Sequence, residues 1–458
     1  MTGPLDLVRP AYFGGSLADV LPSALSVLGV PVEDPTAGDP LRLADRLPGV
    51  RRIAVLLVDG LGWYQLPVAA PHAPVLTDLA DRFGRPLTCG FPSTTPTSLV
   101  SLGTGAPPGA HGVLGFHVNV PGTDRVLTHI DWPGSPVDGP NVPGGGPGSP
   151  VGGDRPSGSW PPVGADGPPV GADGPRAGAD GPSAGADGPR ADAGGSPAGV
   201  VDYPDPRRWQ PLPTQLQRAG AAGVAVTVVS RPALTRTGLS VAAYRSPVYR
   251  GAEDVDALAT EMLGALGAGD GPTLVYGYHP DVDRHGHLSG VDSADWRSAV
   301  TEVDRLVTRL VDGLPPDAAL LVTADHGQLD IPAQGRYDLD TDPRLRAGIR
   351  VVAGEPRVRY LHTLPGATAD VVAAWSEVLG EQAWVATREE AVSAGWFGPV
   401  PEAHLPRIGD VVAACLGATV VLASKTHNPL ETTLVAYHGS CTATEMTIPL
   451  LVVPSPGS

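Results

Sequence analysis

The sequence predicts an α/β layered fold with a mainly parallel central sheet, a small α+β cap inserted in it and a Gly/Pro-rich segment that does not fold. Three observations predict it. Short, wholly apolar runs alternate with amphipathic stretches, that rhythm breaks between about Gln334 and Glu402, and one tract is nearly all Gly, Pro, Ala, Asp and Ser. Runs without polar alternation are what strands covered on both faces look like, so helices must flank them.

In chain order, IAVLLVD (53–59), VAVTVVS (224–230), TLVYGYH (273–279), AALLVTAD (318–325), ATVVLAS (418–424) and TLVAYHG (433–439) read as strands. Between them, DVDALATEMLGAL and SADWRSAVTEVDRLVTRLVDGL space apolar residues by three and four, which gives a helix one oily face. From about Gly134 to Ala198 a seven-residue unit, GADGPxx, recurs from Gly164, Gly171, Gly178 and Gly185. Proline in every unit and the lack of apolar a/d positions exclude a coiled coil, and so little apolar surface cannot offset chain ordering; a mobile insertion is expected. RVVAGEPRVRYLHTL and AAWSEVLGEQAWVATREEAVSAGWFG read as strands and helices of the cap. The domain reading is core at 1–133, insertion at 134–200, core at 201–333, cap at 334–408 and core at 409–458.

A formal charge of −17 argues against a nucleic-acid or anionic-membrane binder, since both need a basic surface. Three cysteines without CxxC spacing argue against a disulfide framework. The opening MTGPLDLVRPAYFGG lacks a basic segment followed by an apolar one, and no run of about 18 apolar residues occurs, so a soluble, cytoplasmic protein is expected. Oligomeric state is not legible.

Four of these strands lead into acids or histidines: Asp59, Asp283 with His287, Asp325 with His326, and His438. In open α/β sheets the crevice beyond the carboxyl ends of the strands holds ligands, and these residues can converge there. Carboxylate oxygens with imidazole nitrogens suit zinc, with manganese as the alternative. Taken singly, each Asp reads equally as a helix cap or turn residue, and each His as a structural side chain. Taken together they pose a constraint, because crowded carboxylates repel at low dielectric: either they lie apart or cations hold them.

GFPSTTPTSLVSLGTG (90–105) offers hydroxyls at Ser93, Thr94, Thr95, Thr97 and Ser98 at the start of a helix-compatible run. A helix N-terminus favours an anion, while an N-cap with spare threonines is the plain alternative. A threonine hydroxyl becomes a nucleophile only when a metal or base takes its proton.

IAVLLVDGLG, FPSTTPTSLVSLGTG followed by AHG, DRHGHLSG, TADHG and YHG together resemble the ordered motifs of the alkaline phosphatase superfamily, in its nucleotide pyrophosphatase/phosphodiesterase branch. The resemblance runs from about Arg51 to Pro454, skipping the repeat and the cap. It implies that superfamily's three-layer fold and two zinc ions, one in a shell of Asp59, Thr95, Asp325 and His326, the other in a shell of Asp283, His287 and His438. It makes Thr95 the nucleophile, with Thr94 the neighbouring competitor. It selects Asp283 with His287 over the equally spaced Asp281 with His285, because the pattern requires Gly286 and Gly290. The implied activity is hydrolysis of phosphodiester or pyrophosphate bonds in a small phosphate ester or nucleotide through a threonyl-phosphate. Two zinc ions against three aspartates and an alkoxide leave such a site near neutral.

Where the branch places Asn three residues after the nucleophile, this chain has Ser98, which is expected to hold a phosphate oxygen but weakens the diester assignment. Phosphomonoester or phosphonate hydrolysis is the alternative within the superfamily, and a non-catalytic scaffold using the repeat is the alternative outside it. His111, His117, His279, His285 and His427 receive no role. Trp375, Trp384 and Trp396 read as core packing, with stacking on a nucleobase as the other reading.

Overall fold

Val, Ile, Leu and Ala in unbroken runs pack on a pleated surface only when both faces are covered, and the fold places those runs in its middle layer. The computed structural model describes residues 3, 5–31, 38–133, 203–246 and 248–455, so the repeat tract read at 134–200 lies outside the described residues. Residues up to 133 and from 204 onward fold as one compact unit.

The strands that position the site are β1 (Arg52–Val58), β2 (Gly84–Thr88), β3 (Ala225–Ser230), β4 (Tyr249–Gly251), β5 (Thr273–His279), β6 (Ala318–Thr323), β7 (Ile349–Glu355), β8 (Val358–Thr363), β9 (Ala383–Thr387), β10 (Val411–Cys415) and β11 (Thr447–Pro454). One seven-stranded sheet has the order β2-β11-β6-β1-β5-β3-β4. In it β1 pairs in parallel with β5 and β6, setting Val55 against Tyr276 and Leu321, and β3 pairs in parallel with β5 and β4. Strand β11 runs antiparallel to β6 and β2. The carboxyl ends of β6, β1, β5, β3 and β4 therefore open on one edge.

The helices around that edge are α1 (Thr95–Thr104), α2 (Val255–Leu266), α3 (Asp281–Ser289) and α4 (Ala294–Asp312). In α4 the Ser293 hydroxyl caps the first turn by accepting from Trp296 N at 3.2 Å, Trp296, Val300, Val303, Val307 and Leu310 form the buried stripe, and Gly313 ends it. Each such side chain, fully buried, contributes about 1.5–3 kcal/mol relative to exposure.

Two runs read as strands are shorter than expected and pair elsewhere. ATVVLAS keeps Val420–Leu422, beside Arg336–Asp338, and TLVAYHG keeps Ala436–Tyr437, beside Leu329–Asp330. An aliphatic run signals burial, which any covered layer satisfies, and not membership of a particular sheet. The central sheet instead takes in β11 and β2, the latter an edge strand that tolerates Pro86.

A second, antiparallel sheet has the order β7-β8-β10-β9. The helix Thr368–Leu379 covers it, burying Val371, Trp375 and Leu379 in a core with Leu361 and Val411. Its turn between β7 and β8 carries Arg357, which donates Nε to Glu445 Oε1 at 2.9 Å and Nη2 to Oε2 at 2.6 Å, with both side chains fully buried. Glu445 also accepts from Ser440 N and the Thr442 hydroxyl, so one carboxylate ties this hairpin to the chain around His438.

Removing one partner of such a pair leaves a buried charge alone. Glu445→Leu should therefore lower unfolding free energy by about 3–5 kcal/mol in urea titration, and Arg357→Met combined with it should recover much of the loss. Equal stability of the single variant and the parent would contradict this account.

Candidate active site

Strand ends deliver the first group of ligand-type residues. Asp59 follows β1, Asp325 and His326 follow β6, and all three are buried with their donor atoms close together. His326 Nε2 lies 3.5 Å from Asp59 Oδ1 and 3.3 Å from Asp325 Oδ2. Thr95, first residue of α1, points its Oγ1 at the same nitrogen from 3.1 Å. Thr94 is fully buried behind it, whereas Thr95 keeps some exposure, so the structure brings Thr95 to His326.

The second group combines α3 with the strap after Tyr437. Asp283, His287 and His438 are buried and their donor atoms also converge. His287 Nε2 lies 3.3 Å from Asp283 Oδ2, and His438 Nε2 lies 3.7 Å from Asp283 Oδ1. The His326 and His438 rings stack with centroids 3.5 Å apart, which joins the two groups. Asp281, by contrast, pairs with Arg231 Nη2 at 2.5 Å.

Hydrogen bonds fix the imidazole tautomers. Nδ1 of His287, His438 and His326 meets the carbonyl oxygens of Ala436 (2.8 Å), Ser93 (2.9 Å) and Gly327 (3.1 Å). A carbonyl only accepts, so each Nδ1 carries the proton and each Nε2 turns a lone pair inward. Two of those lone pairs, on His287 and His438, face each other at 3.1 Å. Burial, then His326 and His287, hold His438 well below the usual imidazole range, which keeps it neutral.

The carboxylates are equally frustrated. Among the described residues Asp59 Oδ1 and Asp325 Oδ2 are buried without a hydrogen-bond partner. Burial, followed by the charges of Asp325 and Asp283, pushes the Asp59 carboxyl well above its ordinary range. Inward lone pairs, orphaned carboxylate oxygens and a mixed N/O donor set are what divalent cations satisfy, so the residues fit such ions.

Several supporting residues carried no sequence signal. Tyr278, on β5, donates its hydroxyl to Asp59 Oδ2, and Gln328 Nε2 donates to Asp283 Oδ1 at 2.6 Å. Gly286 exists for Gln328: a Cβ there would sit 1.3 Å from Gln328 Oε1. Gln328 follows two residues after His326 and was findable only as a polar residue in a buried motif. Ser98, read as a phosphate contact, is fully buried and donates its hydroxyl to Asp325 O at 2.8 Å. His111 bonds Ser101 Oγ at 3.0 Å. Trp375 packs in the second sheet's core, and Trp396 lies 5.1 Å from Phe91 and 5.5 Å from Trp384, so these rings pack on neighbours.

A third gathering, His117, His427 and Glu431, also has convergent donors. It already holds a cation of its own, because fully buried Arg359 donates Nη1 to His427 Nδ1 at 2.9 Å and lies 3.5 Å from Glu431. Glu355, four residues before Arg359, is buried against Gly439, next to His438. Burial raises its carboxyl to about 8, with Thr94 and Arg359 pulling the other way.

The family whose profile the chain matches makes it a metal-dependent hydrolase of phosphoric esters. The chain belongs to the type I phosphodiesterase / nucleotide pyrophosphatase family, whose sequence profile matches residues 53–440. That membership replaces the scaffold reading with an enzyme. Its structure is similar to murine ectonucleotide pyrophosphatase / phosphodiesterase 5, with 17% identity, 88% of each chain covered and a TM-score of 0.59. An inactive form of that murine protein in complex with AMP matches with 16% identity, 88% of each chain and a TM-score of 0.58. Phosphonoacetate hydrolase from Sinorhizobium meliloti 1021, in complex with phosphonoformate, matches with 19% identity, 90% of this chain, 92% of that chain and a TM-score of 0.56. At these identities the likeness speaks for the fold alone. No curated protein matches the chain. Among the described residues no helix is long and apolar enough to cross a membrane.

A raised carboxyl stabilises the fold only while protonated. The contribution of Glu355 is complete below its ordinary value of 4.5 and disappears as pH climbs through about 8. The melting temperature should therefore fall between about pH 5 and about pH 9, and Glu355→Gln should flatten that fall. Parallel melting curves for the two proteins across this range would refute the assignment.

Proposed function

We propose that this chain is a two-zinc hydrolase of phosphodiester or pyrophosphate bonds in small phosphate esters or nucleotides, acting through a threonyl-phosphate. The observation that carries the reading is Thr95 Oγ1 at the head of α1, 3.1 Å from His326 Nε2 and beside Asp59 and Asp325. Asp59, Asp325 and His326, with the Thr95 oxygen, would hold one ion, and Asp283, His287 and His438 the other; manganese is the alternative metal. Bound there, the ions supply Lewis acidity and neutralise phosphoryl charge.

Thr95 passes its proton to solvent water and attacks phosphorus, forming a new P–O bond as the leaving oxygen departs with its bonding pair and takes up a proton from solvent. Water then adds to phosphorus as the Thr95 oxygen leaves it, releasing the phosphomonoester that carries the remaining ester group and restoring the hydroxyl. The N-terminus of α1 favours the developing negative charge. Tyr278 and Gln328 keep Asp59 and Asp283 from rotating away. We reassign Ser98 to holding the Asp325 backbone, since its hydroxyl is already donated there. Buried, unpaired Cys89, Cys415 and Cys441 support a cytoplasmic setting.

Thr95→Ala should lower kcat by about a thousandfold or more with bound metal retained, and Thr94→Ala should cost far less. Full turnover by Thr95→Ala would end the covalent reading. On the unaltered enzyme, a bis-nitrophenyl phosphodiester should turn over faster than nitrophenyl phosphate; the reverse order would make the chain a monoesterase.

A further inference from the structure

Helix α3 carries its Asp-x-x-x-His spacing twice, and the catalytic reading uses only Asp283 with His287. Two residues along a helix is a turn of about 200°, so Asp281 and His285 lie on a different face. That face lines a second cavity of about 300 Å³. The cavity sits at the carboxyl ends of the neighbouring parallel strands, with Arg231 following β3, Asp254 shortly after β4, and His279 ending β5. It therefore occupies the next crevice along the same sheet edge as the catalytic groups, where α/β sheets place ligands.

The cavity's chemistry is that of a cation site. Among the described residues, His279 Nε2 and Asp281 Oδ1 are buried atoms without a hydrogen-bond partner, and His279 is only 5% exposed. The imidazole nitrogen lies 4.0 Å from Asp281 Oδ2. Arg231 orients the Asp281 carboxylate through Oδ2 and leaves Oδ1 open. Glu302 on the wall pairs with Arg305, but no described basic side chain pairs with Glu253, Asp254 or Asp295.

The geometry points to a divalent-metal site in this cavity, separate from the catalytic groups, with His279, Asp281 and His285 as its ligands. Two imidazoles and one carboxylate form a borderline donor set that favours a transition ion over magnesium or calcium. His285, half-buried on the same cavity wall, would turn its ring inward to complete the set, and Glu253, Asp254 and Asp295 give the cavity further negative charge. The inference does not depend on the hydrolase reading, because none of these side chains belongs to the catalytic groups.

Metal content decides it. The full chain is stripped with chelator, dialysed against micromolar Mn²⁺ or Zn²⁺, and its bound ions counted, with Mn²⁺ also followed by electron paramagnetic resonance. His285→Gln should bind one ion fewer per chain than the parent while keeping phosphodiester turnover within about twofold. His438→Ala should lose turnover yet keep the ion that His285→Gln loses. Asp281→Asn should repeat the loss, but it also breaks the Arg231 pair, so His285→Gln is the deciding variant. Equal ion counts in the parent and His285→Gln would overturn the site, as would an extra ion bound only at millimolar metal.

Discussion

The site rests on one constraint: three carboxylates and three inward imidazole lone pairs are held close together in near-complete burial. Asp59, Asp283 and Asp325 are each less than one-tenth exposed. Burial first, and then their mutual repulsion, raises the Asp59 carboxyl, and one oxygen each of Asp59 and Asp325 is left without a partner among the described residues. The parallel register of β1, β5 and β6 fixes where Asp59 and Asp325 leave their strands and where α3 begins with Asp283 in its first turn. Only positive charge relieves the repulsion, and the tautomers forced by three backbone carbonyls leave that charge to come from outside the chain.

Holding such a set requires a rigid surround, and the second sheet provides it from behind. Arg357 and Glu445 satisfy each other in full burial, and the Glu445 main-chain oxygen also accepts from Gly327 N, directly after His326. Glu355 presses against Gly439, directly after His438. The hairpin between β7 and β8 thus touches Gly439 directly and reaches Gly327 through Glu445. The smaller sheet is part of the catalytic architecture as well as a wall over it.

The strand-end acids and histidines were legible because each interrupts an apolar run, and because their motifs occur in a fixed order. Choosing between the two Asp/His pairs of α3 depended on Gly286, and the physical reason is that any side chain there would overlap Gln328. Tyr278, Gln328, Glu355, Arg357 and Glu445 were not legible. Arg357 and Glu445 are 88 residues apart and belong to different sheets or turns, so no period or spacing announces their contact. Strand β2 was hidden for another reason: Gly84, Arg85 and Pro86 have poor strand propensity, which an edge position forgives.

Overall charge and local charge are separate questions in this chain. A net charge of −17 repels phosphate esters at long range. Arg359, Arg357 and Arg231 are each committed to carboxylates, Glu431, Glu445 and Asp281. These three guanidinium groups are spent on the chain's own acids, and attraction for a phosphoryl group would fall to ions that the aspartates gather. Dependence on metal follows from that distribution of arginines as much as from the ligand residues themselves.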